Sequence, residues 1–234
     1  MRRPPTESLF RSVARTTPAA AAGRLSHVRW IAGGTGAGKS TLAIILARRH
    51  GAVVYRGDLA QHTWLPRCTP RQHPHFHAAR DEPPGSLWDG RSPDEACGFT
   101  QSVVAETFAF EIEDLLALPA DRPVLVDWFG NLPCHVAPLL TRPDQAVFLL
   151  PTPEFRLAAL RARRSDPVRA PVGWGSRAPG TTLSERLARD ELWDAEVRRQ
   201  AAAYGSTVIT MDGGRPVGDL ADEVAARFRL GTAA

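Results

Sequence analysis

Residues Gly33-Gly34-Thr35-Gly36-Ala37-Gly38-Lys39-Ser40 spell the spacing G-x-x-x-x-G-K-S/T. They stand between a short apolar run, Val28–Ala32, and an amphipathic one, Lys39–His50. A chain that turns through several glycines from strand to helix aims backbone N–H groups into one concavity, and the helix N-terminus adds partial positive charge there. A strand before and a helix after is the context that gives this spacing its meaning. Lys39 is also the only lysine, because 28 of the 29 Lys and Arg residues are arginine. Arginine's planar fork does not replace a compact ammonium on a flexible stem. The exception therefore sits where an ammonium has to fold back over a loop to meet phosphate oxygens. Gly33, Gly34, Thr35, Gly36, Ala37, Gly38, Lys39, Ser40 and Thr41 are expected to cradle the phosphates of ATP, with the Ser40 hydroxyl offered to Mg2+.

Four more apolar runs, Ala52–Tyr55, Pro123–Asp127, Ala146–Leu150 and Ser206–Met211, read as strands. Helical periodicity separates them, over 39–50, from Ser92 to Pro119 with a possible break at Gly98, from Thr152, over Leu183–Tyr204 and over Leu220–Leu230. Ser92-Pro93-Asp94-Glu95 has capping-box spacing with proline at the first helical position. Strands alternating with helices predict an α/β fold, a parallel sheet covered on both faces with ligands at the carboxyl ends of its strands. Residues 59–91 read as irregular, and 165–181 as a mobile Pro/Gly-rich loop.

At 234 residues, one domain over 27–231 is expected. Residues 1–26 read as a disordered basic arm, rich in Pro, Thr and Ala with little apolar periodicity. No apolar run approaches the ~20 residues that span a bilayer. Three cysteines without a C-x-x-C pair suit reduced thiols and a cytoplasmic setting. The net charge of +4 concentrates in the arm and in 156–189. That distribution argues against nucleic acid as the partner and leaves a monomer or homodimer acting on a small molecule.

Lysine scarcity removes two alternatives. Guanine readers need a second lysine in N-K-x-D, and protein-kinase chemistry needs a strand lysine paired with a helix glutamate. Asp127, closing the apolar run Val124-Leu125-Val126, is the expected Mg2+-linked carboxylate, or else a cap on the next turn. Trp128 reads as packing. His73, His75 and His77 alternate, so an extended stretch would turn three imidazoles to one side, either toward a metal such as zinc or into a polar pocket loop. Trp64, Phe76 and Trp88 read as stacking platforms or as core. Glu106, Glu111 and Glu113 read as a pocket-facing set, with Glu106 binding a substrate amine or hydroxyl, or as a solvated helix face.

The order of segments over Val28–Leu230 resembles the small-molecule and nucleoside-monophosphate kinase group of P-loop proteins, including shikimate-kinase-like and chloramphenicol-phosphotransferase-like members. Asp58 ending the second strand, Arg161, Arg163 and Arg164 leading into a Pro/Gly-rich loop, and Asp212-Gly213-Gly214 near the C-terminus carry the resemblance. More narrowly the chain resembles uncharacterised actinobacterial P-loop proteins. The matching stretches are Gly33–Leu42, 105–108 with 113–116, Leu149–Arg156, and Arg189-Asp190. Those proteins have Glu-Gly-Phe where this chain has Asp127-Trp128-Phe129. The resemblance implies a three-layer P-loop fold with a five-stranded parallel sheet of order 2-3-1-4-5. It also implies an acceptor-binding insertion over 59–118 and an arginine-rich lid over 156–189. The function it implies is an ATP-dependent kinase acting on a small-molecule hydroxyl. Asp58 would accept or orient that hydroxyl's proton, unless it is only a turn residue. Lys39 would hold phosphate. Arg161, Arg164 and Arg189, with Arg156, Arg163 and Arg186 behind them, would neutralise charge on the transferred group, unless they form a solvated face. An ATP-binding switch acting through a protein or nucleic-acid partner is the alternative.

Overall fold

All five apolar runs form strands: β1 Val28–Gly33, β2 Val53–Arg56, β3 Val124–Asp127, β4 Ala146–Pro151 and β5 Thr207–Met211. A computed structural model describes residues 18–78, 90–165 and 182–231. The five strands form one sheet in the order β2-β3-β1-β4-β5, with every pairing parallel. The expected strand order is therefore observed. Parallel strands need helical crossovers, which cover both faces. Accordingly β1, β3 and β4 are buried throughout, while β2 and β5 at the edges are partly open.

The helices are α1 Pro18–Arg24, α2 Lys39–His50, α3 Gly57–Trp64, α4 Pro74–Ala78, α5 Pro93–Ala117, α6 Pro133–Val136, α7 Pro153–Ser165, α8 Leu183–Tyr204 and α9 Val217–Phe228. Successive strand residues face opposite ways. Ile31, Leu125, Val147 and Leu149 join Leu42 and Leu46 of α2 and Leu220, Val224 and Phe228 of α9 in one core. Trp30, Val126, Phe148 and Leu150 join Val104, Phe108, Ile112 and Leu115 of α5 and Trp193 and Val197 of α8 in the other. No helix among the described residues is long and apolar enough to cross a membrane.

Three boundaries differ from the sequence expectation. Residues 18–26, assigned to the arm, are ordered: α1 buries Ala21 and Ala22, and Leu25 follows into the core. Alanines on one face of a seven-residue helix give almost no periodic signal. The rest of the arm, 1–17, lies outside the described residues. The expected break at Gly98 is absent, and α5 runs unbroken from its Ser92 capping box to Leu118, just before Pro119. Residues 57–78, read as mostly irregular, hold α3, α4 and a 3₁₀ turn, Leu65–Arg67.

Long-range polar contacts fix that segment. Asp114 of α5 accepts hydrogen bonds from Tyr55 Oη at 2.8 Å and Trp64 Nε1 at 2.7 Å, and pairs with Arg67. Glu106 accepts from the backbone N–H groups of His75 at 3.1 Å and Phe76 at 2.8 Å, and from His75 Nδ1 at 2.6 Å. Glu106 therefore holds α4 in place, and the substrate contact expected of it is taken up by the protein. Trp64 and Phe76 are fully buried core residues rather than open stacking platforms; Trp88 lies outside the described residues. The three histidines do not converge. His73 is buried, accepts from Thr69 N and lies against Phe110, and His75 turns to Glu106. Residues 74–78 are helical, so strand alternation does not apply to them. Asp114→Ala would leave the Trp64 indole and the Tyr55 hydroxyl without their acceptor. The expected loss is about 2 kcal/mol of stability in urea unfolding; an unchanged midpoint would show that the hub contributes nothing.

Candidate functional site

β1 is the central strand, and the glycine loop leaves its carboxyl end. Gly33, Gly36 and Gly38 all have positive φ, at 109°, 79° and 86°. A side chain at Gly33 would run into the Leu149 backbone, and Leu149 O accepts Gly34 N at 2.8 Å. Gly38 is the left-handed N-cap of α2 and supplies no side-chain acceptor. The helix therefore starts with first-turn N–H groups that its own cap does not satisfy. Ser40 and Thr41 are exposed there.

Lys39 turns back over this loop. Its Nζ donates to Gly34 O at 2.7 Å and Gly33 O at 3.2 Å, and the side chain is 9% exposed. Burial lowers its pKa, Asp127, Asp58 and Asp194 oppose the drop in that order, and Arg163 adds to it. The sheet register explains the strongest of these charges. Asp127 ends β3 beside Ile31 of β1 and Arg56 of β2. It is buried.

Asp58 does not close β2 as expected. The strand stops at Arg56, and Asp58 stands in the first turn of α3. Gly57 makes that turn, because any side chain there would strike Trp128. Trp128 is itself buried, as packing. Asp58 is exposed at the surface, and desolvation by the protein around it raises its carboxyl pKa; Lys39 opposes the rise, Asp127 adds to it and Arg163 opposes it.

The arginines divide. Arg161 and Arg163 lie on the exposed side of α7. The Arg164 side chain lies outside the described residues, as does 166–181, the loop expected to be mobile. Arg189 bonds to Asp190 through Nε at 3.0 Å. Arg156 is the one the sequence undervalued. It is 2% exposed, pairs with Asp194 of α8 and donates Nε to Thr35 O at 3.3 Å. Burial pushes Asp194 up to about 6, with Arg156 opposing and Asp190 adding. The signal was present: Arg156 shares a buried stripe with Leu160, and Asp190 and Asp194 share one with Trp193 and Val197. Charges on an apolar stripe are seldom solvated.

Glu111 of α5 is fully buried and accepts from Asn131 Nδ2 at 2.9 Å. Burial pushes its carboxyl up to about 8, opposed by the Asn131 bond and helped by the Asp114 charge. Among the described residues, no three His, Cys, Asp or Glu side chains form a group that could hold a metal ion alone. Cys68, Cys97 and Cys134 form no disulfide.

No protein-family model matches the chain, and no curated protein matches it.

Glu111 gives the site's fold a pH signature. Its carboxyl titrates at about 8 when folded and near the ordinary value of 4.5 when unfolded. Between those values the folded chain holds a proton that the unfolded chain lacks. Stability therefore falls as pH rises through that window, by up to about 1.4 kcal/mol per pH unit from this group. Glu111→Gln should flatten the decline between pH 5 and 8 and exceed wild type above pH 8 in urea melts. An identical slope in the variant would contradict the assignment.

Proposed function

We propose that this chain is an ATP-dependent kinase of the P-loop small-molecule and nucleoside kinase kind. It would transfer the γ-phosphoryl group of ATP to a hydroxyl of a nucleoside-, sugar- or antibiotic-like acceptor. The observation that carries the reading is the Lys39 ammonium, buried against the Gly33 and Gly34 carbonyls at the N-terminus of α2. Two positive features, an ammonium and a helix N-terminus, share one loop there. A bound polyphosphate satisfies both.

The residues support a division of labour. The glycine-loop N–H groups, from Gly33 to Ser40 and Thr41, hold phosphate oxygens. Lys39 exchanges its two carbonyl partners for phosphate. Ser40 and Asp127 offer a hydroxyl and a carboxylate, the hard oxygens that Mg2+ takes when phosphates and waters complete its shell. Mg2+ held by these two residues would supply positive charge to offset that of the phosphates. Asp58, exposed and coupled to the charges of Lys39 and Asp127, is set to accept a hydroxyl proton from an acceptor. Its raised pKa brings it closer to the range in which a base works at neutral pH. Arg161 and Arg164 of α7 and Arg189 of α8 are candidates for the charge that develops on the transferred group, with exposed Arg163 also on α7.

Two variants test these roles in turnover assays with ATP and a panel of hydroxyl acceptors. Lys39→Arg should abolish productive nucleotide binding, since a planar guanidinium does not fit the loop; wild-type affinity and turnover would overturn the phosphate assignment. Asp58→Asn should keep ATP binding and lose transfer by ~10²–10⁴-fold. Unchanged transfer would leave Asp58 as a turn residue. ATP hydrolysis that no acceptor stimulates would sink the kinase reading itself.

A further inference from the structure

Arg156 is a guanidinium with almost no water around it, 2% exposed, and its partner Asp194 is 6% exposed. Stripping ions of water costs several kcal/mol each, and well-packed apolar residues often serve stability as well or better. Stability alone is a poor reason for this pair, and its surroundings give a better one.

The arginine lies along the glycine loop. Its Nε donates to Thr35 O at 3.3 Å. A side chain added at Gly36 would meet Arg156 Cγ at 3.7 Å and Ala159 Cβ at 3.5 Å. Asp194 takes the next stretch: a side chain at Gly34 would collide with its carboxylate and lie 2.7 Å from Pro151 Cδ. Three consecutive loop residues thus rest on one ion pair. The two charges come from different helices, α7 and α8. Asp194 Oδ2 takes the guanidinium, while the buried Oδ1 has no hydrogen-bond partner. Asp194 is also one of the charges that Lys39 feels. An unpartnered carboxylate oxygen against a loop that carries an ammonium is out of place in a purely structural contact.

We propose that the Arg156–Asp194 pair is a positioning device for the glycine loop, fixing Gly34, Thr35 and Gly36 in the shape that receives phosphate. What the pair supplies is nucleotide affinity rather than folding stability. Neither residue touches phosphate; both act through the loop backbone. The inference rests on the nucleotide-binding reading above and adds a second layer to it.

The test separates affinity from stability. The double variant Arg156→Met/Asp194→Leu replaces both charges with apolar groups of similar bulk. It should melt within about 5 °C of wild type yet bind Mg·ATP at least tenfold more weakly in a calorimetric titration. Wild-type affinity in a folded double variant would overturn the proposal and leave the nucleotide reading intact. Wild type that binds no Mg·ATP would overturn both. Should the double variant not fold, Asp194→Asn, which keeps the shape and removes the charge, carries the decision. Tenfold weaker binding sustains the positioning role. Unchanged or tighter binding overturns it, tighter binding showing that Asp194 acts only as a charge repelling phosphate.

Discussion

An ammonium kept out of water at the start of a helix is the constraint on which the rest of this molecule turns. Lys39 is 9% exposed and spends its donors on the Gly34 and Gly33 carbonyls. Those carbonyls can turn inward only because Gly33 takes a φ of 109° and has no side chain to meet the Leu149 backbone. A cation beside a helix N-terminus is ordinarily unfavourable, since both ends of the contact are positive. Here Asp127, Asp58 and Asp194 offset it. The result is an ammonium held between backbone carbonyls and the charges of three carboxylates.

The sheet delivers those carboxylates from separate parts of the chain. Parallel register brings Asp127 to the end of β3 beside β1. Gly57, pressed on Trp128, lets the chain turn at once from β2 into α3 and sets Asp58 in its first turn, where its charge acts on Lys39. α7 and α8 bring Arg156 and Asp194 against the loop. Charges of both signs thus close on one loop, and each is held by packing that the apolar cores determine.

Much of the frame is legible in the sequence because its signals are local. Each strand is a short apolar run between turn residues, and the glycine loop carries its own context. The Ser92 capping box needs only four residues to declare itself, and it forms as its spacing predicts. The segment 57–78 was illegible for the opposite reason. Its helices are short, and partners 30 to 60 residues away hold them: Asp114 for Trp64 and Tyr55, Glu106 for His75 and Phe76. Histidines that alternate in an extended reading lose that alternation once the backbone coils. Arg156 was obscured by company, since it sits in a helix with three other arginines. Only its place on the Leu160 stripe sets it apart.

The central claim is that the glycine loop, with Lys39, reads the β- and γ-phosphates of a nucleotide. Calorimetric titration of the full chain with Mg·ATP and, separately, with AMP tests this most directly. One ATP per chain is predicted, with AMP at least 100-fold weaker, about 2.7 kcal/mol, because it presents neither phosphate to Lys39. Equal affinities, or no binding of Mg·ATP, would contradict it.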